Sequence, residues 1–257
     1  MTRMLRILCA SVLLAAAPAA GAMAAQLRPM PDVAPGVAAF PRLVAPPGDR
    51  AAARINAALA KADARAKIAA GGCTPDKAQG RDGWTRSITV TMRGPRYLSL
   101  LASNEWDCGA YPDTDQVALV YDLHTGAPVD WARLLPRGML AGSTTNTASD
   151  ETTEGLVKSP VLAAAFRKAA AADAGRDKQC AEVLSGKGQF GALVFQLWPD
   201  AQANGLALEF PTLPHVVAAC GAPEIIPAAE LRKLGVGPVL LGPLATAHRE
   251  GLYGMGR

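Results

Sequence analysis

Four carboxylates crowd into the eleven residues from Glu105 to Asp115: Glu105, Asp107, Asp113 and Asp115, with Trp106, Cys108 and Tyr111 among them. Oxygen ligands at that density could hold a hard cation, and a pair of carboxyl groups is what glycoside chemistry uses. The spacing matches no calcium loop, however, and Pro112 among acidic residues is also the composition of a surface turn. A third reading takes Trp106 and Tyr111 as exposed aromatics of a partner-binding surface. The candidate ligand-contacting residues are therefore Glu105, Trp106, Asp107, Tyr111, Asp113 and Asp115. No catalytic residue, metal ligand or cofactor is assigned.

The patterns of other chemistries are missing. There is no G-x-S-x-G elbow, no H-E-x-x-H, no phosphate-binding Walker loop and no G-x-G-x-x-G after a strand. His124, His215 and His248 share no short spacing, and Ser143, Ser149 and Ser159 stand without a nearby His or Lys pattern. Basic and acidic residues are interspersed, which excludes the basic stripe of a nucleic-acid binder and gives no charged face for a membrane surface.

The chain opens with Arg3 and Arg6, a short apolar core from Ile7 to Ala17, and small residues up to Ala22-Met23-Ala24. This reads as a secretory signal over residues 1–24, its core too short to span a bilayer. Cleavage there leaves 233 of the 257 residues, lowers the net charge from +4 to +2 and predicts a periplasmic or secreted protein with no transmembrane segment. Four cysteines remain: Cys73, Cys108, Cys180 and Cys220. An even count in an exported chain implies two disulfides, with a free catalytic thiol as the competing reading. Of the three pairings, Cys73 with Cys108 and Cys180 with Cys220 is favoured, because each bond then staples one half of the chain.

These residues need a frame. Residues 25–48 contain six prolines and predict an extended tether, with Val37, Phe40 and Leu43 lying on the domain surface. A single domain follows over 49–234. Asp49 can cap a helix in which Ile55, Leu59, Ala62, Ala66 and Ala69 recur at helical spacing until Gly71-Gly72. Trp84 to Met92, Tyr97 to Asn104 and Gln116 to Leu123 read as strands, the first two joined by the turn Arg93-Gly94-Pro95-Arg96. Val129, Trp131, Leu134 and Leu135 form one side of a short helix. Gly138 to Lys158 is a loop or weak helix start, Pro160 to Ala174 a helix, and Asp177 to Leu184 a second helical piece. Gly191 to Trp198 and Gly205 to Phe210 predict another hairpin, His215 to Ala219 a short strand, and Pro227 to Leu234 a closing helix. Residues 235–257, rich in Gly and Pro, predict a flexible tail. Helices segregate from strand runs, which argues for an α+β fold: a largely antiparallel mixed sheet with helices packed on one side.

The strand YLSLLASNEW from Tyr97, the turn Cys108-Gly109-Ala110-Tyr111-Pro112, the strand end Asp122-Leu123-His124-Thr125-Gly126 and the helix end Leu134-Leu135 together resemble the extracytoplasmic C-terminal domain of RsiV-type anti-sigma factors, which also occurs in PdaC-type peptidoglycan deacetylases. The segment from Leu193 to Cys220 and then Glu224 to Leu234 is similar to that domain's final hairpin, last strand and helix, so the resemblance spans residues 86–234. Cys108 stands where the family has a Gly and Tyr111 where it has a His. The resemblance implies an envelope location. In the deacetylases the chemistry belongs to a separate domain, and in the anti-sigma factors this domain is a lysozyme receptor. Residues and resemblance together point to an exported binding module for an envelope protein or peptidoglycan fragment, with a carboxylate- or metal-dependent hydrolase of envelope polymers and a structural envelope protein as alternatives.

Overall fold

The computed structural model describes residues 24–73, 75–76, 83–108, 112–141, 143–147, 153–173, 179–185, 194–211 and 213–256. Residues 1–23, on which the expected signal falls, and Tyr111 of the candidate surface lie outside them. The α+β class, the antiparallel pairing and both disulfides stand as read. The larger strands are divided between two sheets, one of three strands and one of five.

The three-stranded sheet comprises β3 (Gly83–Arg93), β4 (Tyr97–Asp107) and β5 (Asp113–Asp122), in that order and antiparallel, with a bulge between Val90 and Met92. Helix α1 (Arg50–Gly72) lies on one face of it. Asp49 caps this helix by accepting from the Ala52 N–H, and Ile55, Ala58, Leu59 and Ala62 pack on Val90, Leu98, Leu100, Leu119 and Tyr121. Because side chains alternate across a strand, the neighbouring positions Met92, Tyr97, Ala118 and Val120 join a second core on the other face.

That second core is shared with the five-stranded sheet. Its order is β10 (Glu224–Pro227), β9 (Gly205–Glu209), β8 (Val194–Asp200), β7 (Thr153–Lys158) and β6 (Ser143–Thr147), all pairs antiparallel. Strand β8 lies against β3, β4 and β5. Helix α3 (Pro160–Ala172) covers the far side, where Phe166 meets Phe195 with ring centroids 5.1 Å apart. The layers therefore run helix, sheet, sheet, helix. The short helices α2 (Trp131–Leu134), α4 (Cys180–Val183) and α5 (Ala228–Lys233) complete the frame.

Four readings need correction. The Pro-rich tether is part of the domain: β1 (Leu27–Arg28) pairs with β2 (Arg42–Leu43), and Val37 and Phe40 are fully buried. Gly138 to Lys158 holds β6 and β7, where a chain rich in Ser and Thr supplies the edge of a sheet; an edge strand does not need a continuous apolar run. His215 to Ala219 belongs to a 3-10 helix, His215–Gly221, with local bonds such as the Val217 N–H to the Pro214 carbonyl. Its Cys220 must reach Cys180 while Gly221 crowds the Phe210 carbonyl, and a tight coil satisfies both.

The tail is the largest correction. Residues Pro238–Arg249 form helix α6, and Leu240, Leu241, Leu244 and Ala247 enter the second core. Beyond it, the Leu252 carbonyl accepts from the Arg93 N–H and the Gly254 N–H donates to the Val90 carbonyl, both at 2.9 Å. Those bonds cover the outer edge of β3, whose unpaired groups would otherwise invite pairing with another chain. Glycines and prolines sit among these residues without breaking the 240, 241, 244, 247 stripe. Among the described residues no helix is long and apolar enough to cross a membrane.

Candidate functional site

The acidic segment is mostly strand. Strand β4 runs on to Asp107 and β5 begins at Asp113, so the register continues with Asn104 opposite Asp115, Glu105 opposite Thr114 and Trp106 opposite Asp113. Alternation then divides the candidate residues between two faces. Trp106, Asp113 and Asp115 share the α1 face with Asn104, whereas Glu105 and Asp107 point to the opposite side. On β3, Trp84 stands directly opposite Trp106, which places two indoles and Asp113 in one row. In sequence nothing marks Trp84 as a site residue, because counting back from the turn (Arg93 opposite Leu98) brings it level with Asp107, and only the bulge between Val90 and Met92 shifts it to Trp106.

The disulfide Cys73–Cys108, Cα atoms 5.2 Å apart, ties the C-terminal end of α1 to the chain just past β4. It pins this rim at the point where two strands separate. The second bond, Cys180–Cys220, with Cα atoms 5.1 Å apart, is buried and joins α4 to the 3-10 helix.

On the rim, Asn104 Nδ2 donates to Asp115 Oδ1 at 2.6 Å, and the Thr114 N–H donates to Asp113 Oδ1 at 2.8 Å. Partial burial pushes the Asp115 carboxyl up, the Asn104 bond pulls it down and Asp113 adds a smaller upward push. Asp115 as a whole is exposed, so solvent screens these effects. Asn104 is 7% exposed, and among the described residues its Oδ1 has no hydrogen-bond partner; the Trp84 Nε1 is likewise out of solvent and unpartnered among them.

A second polar cluster sits where the two sheets meet. The Gln196 amide on β8 accepts from the Ala118 N–H at 2.9 Å and donates to the Gln116 carbonyl at 2.8 Å, closing the free edge of β5. The same Nε2 also donates to Glu209 on β9. Burial pushes the Glu209 carboxyl up to about 7, with the Gln196 bond opposing and the Asp115 charge adding to the rise. A carboxyl near neutrality beside a second carboxylate has the property a proton donor needs. In sequence Glu209 only ends an apolar strand, and no local pattern marks it.

A third cluster holds the N-terminal segment down. Asp63 accepts from Arg86 at 2.5 Å, from Arg42 at 2.6 Å and from the Phe40 N–H at 3.1 Å. Arg86 also donates to the Ala38 carbonyl at 2.7 Å, and its guanidinium lies 4.9 Å from the centre of the Phe40 ring. Asp63 stands four residues past Leu59 on the apolar stripe of α1, and that misplaced carboxylate is the signal in the sequence.

The strand-end motif Asp122-Leu123-His124-Thr125-Gly126 is architectural. Asp122 accepts from the His124 and Thr125 N–H groups and from Arg96. At Gly126, φ is +69° and a Cβ would stand 2.4 Å from the Ala51 carbonyl oxygen, so the turn can press on the start of α1 only without a side chain. His124 is exposed, and His248 Nδ1 lies 2.9 Å from the Ala201 carbonyl. Among the described residues no group of three or more His, Cys, Asp or Glu side chains is arranged to hold a metal ion.

No family model matches the chain, and no curated protein matches it. Among solved structures it is similar to a member of the DUF3298 family from Bacteroides fragilis, over 80% of this chain and 87% of that one, at 12% identity and a TM-score of 0.51. At that identity the two share a fold.

Proposed function

We propose that this chain is an exported, disulfide-stapled binding module of the cell envelope that engages an envelope protein or a peptidoglycan fragment through the rim of its three-stranded sheet. The observation that carries the reading is the Cys73–Cys108 bond beside Trp106, Asp113 and Asp115, which holds an aromatic and acidic surface on a rigid strand end. A site built on strands keeps its geometry without help from a ligand, which reduces the ordering cost of binding. Export follows from the signal-like start and from two disulfides, which persist in oxidising compartments. The resemblance to RsiV-type and PdaC-type extracytoplasmic domains favours the same location.

The test replaces Trp106, Tyr111 and Asp113 together with Ala and measures binding to lysozyme and to soluble peptidoglycan fragments. Binding by the unaltered protein that the triple variant loses supports the rim; undiminished binding by the variant removes the rim from the account. A second reading, a carboxylate-dependent hydrolase of envelope polymers, is favoured by the raised Glu209 carboxyl close to Asp115. It requires release of muropeptides from purified cell walls, abolished in Glu209→Gln, and a complete absence of products would dismiss it.

A further inference from the structure

We infer that the α1 face of the rim is a saccharide subsite, in which Trp84 and Trp106 stack on an uncharged hexose ring while Asn104, Asp113 and Asp115 receive its hydroxyls. The inference rests on the rim reading above and narrows its ligand to one chemistry. Trp84 and Trp106 are cross-strand partners, and each is only half-buried. Asn104 lies two residues before Trp106 on β4 and on the same face, so it is diagonal to Trp84, with Cα atoms roughly 7 Å apart. Trp84 Nε1 is a donor, Asn104 Oδ1 an acceptor, and both are buried without a partner among the described residues.

Two complementary orphans on one face are costly in a resting protein. A hydroxyl answers both, since it accepts and donates through one oxygen. Solvent reaches neither atom in the resting packing, so binding includes rotation of the Trp84 side chain to open the pair. A pyranose supplies several hydroxyls around an apolar ring face, which matches indoles flanked by hydrogen-bond acceptors. The Asp113 and Asp115 carboxylates accept hydrogen bonds from the hydroxyls and repel an anionic sugar, so the ring is neutral.

The experiment titrates the full chain with the N-acetylglucosamine trisaccharide and follows tryptophan fluorescence. Trp131 and Trp198 are 4% and 2% exposed, so a response reports on Trp84 and Trp106. A saturable change is expected, weakened at least about ten-fold in Trp84→Phe and in Asn104→Ala, and weakened similarly when trigalacturonate replaces the neutral sugar. Circular dichroism checks that each variant folds; if Asn104→Ala does not, Trp84→Phe carries the test. Absence of a saturable response, or equal affinity in Trp84→Phe, overturns the saccharide assignment. If lysozyme or fragment binding is still lost in the rim triple variant, the rim reading survives that result. If the triple variant binds undiminished, both fall together.

Discussion

Glu209 should make this protein more stable as the medium becomes mildly acidic, and replacing it with Gln should remove that dependence. Its folded carboxyl is held at about 7 against an ordinary value of 4.5, chiefly by burial at the seam between the sheets. A raised carboxyl means that the native state binds the proton more tightly than the unfolded chain. Between about pH 4.5 and 7 stability therefore falls as pH rises, and below the unfolded value the contribution is fully present. At 1.36 kcal/mol for each pH unit of that interval, the full effect is about 3 kcal/mol. A neutral amide in place of this carboxyl keeps an acceptor for the Gln196 amide without the charge, so Glu209→Gln should match the unaltered protein near pH 4 and exceed it by up to about 3 kcal/mol at pH 8. Urea unfolding of both proteins at half-unit intervals from pH 4 to pH 8 measures the difference directly, with contributions of groups not coupled to Glu209 cancelling. A flat difference, or a variant less stable at pH 8, would refute the argument, because the carboxylate would then be well solvated or paired at the seam.

Two further perturbations address what holds the frame. Asp63→Asn leaves Arg86 and Arg42 packed around a neutral amide and should cost about 3 to 5 kcal/mol in urea unfolding; a loss under about 1 kcal/mol would mean that the N-terminal segment is held by Val37 and Phe40 alone. Removal of residues 236–257 strips six buried apolar residues from the second core, among them Leu240, Leu241 and Leu244. At about 1.5 to 3 kcal/mol for each buried leucine, the loss approaches the whole stability of a small domain. The shortened chain should lack a cooperative thermal transition in calorimetry and should aggregate through the uncovered β3 edge; a sharp transition near that of the full chain would contradict this role for the tail.

Local patterns were legible and long-range ones were not. The stripe Ile55, Leu59, Ala62, Ala66 and the alternation of β3, β4 and β5 are properties of short windows, and the structure places those elements where the periods put them. The disulfide pairing followed from chain halves, and each bond does close a span of 35 or 40 residues. By contrast, the ion pairs of Asp63 join residues 21 and 23 positions away, and Gln196 reaches β5 across 80 and 78 positions. No window contains both partners of such a contact. The tail was misread for a different reason: its glycines and prolines weigh on propensity, but tertiary burial of four stripe positions outweighs them.

The rim shows why composition alone could not sort the acidic residues. Read as a loop, Glu105, Asp107, Asp113 and Asp115 form one cluster with Trp106. Extended as strand, they obey the two-residue period, and Glu105 and Asp107 leave the face that Trp106 occupies. Cys108 fixes the place of that strand end, because its bond to Cys73 anchors the end of β4 to the C-terminal end of α1. The two-residue period thus decides which carboxylates can act together, and the pair it leaves beside the indoles is Asp113 and Asp115.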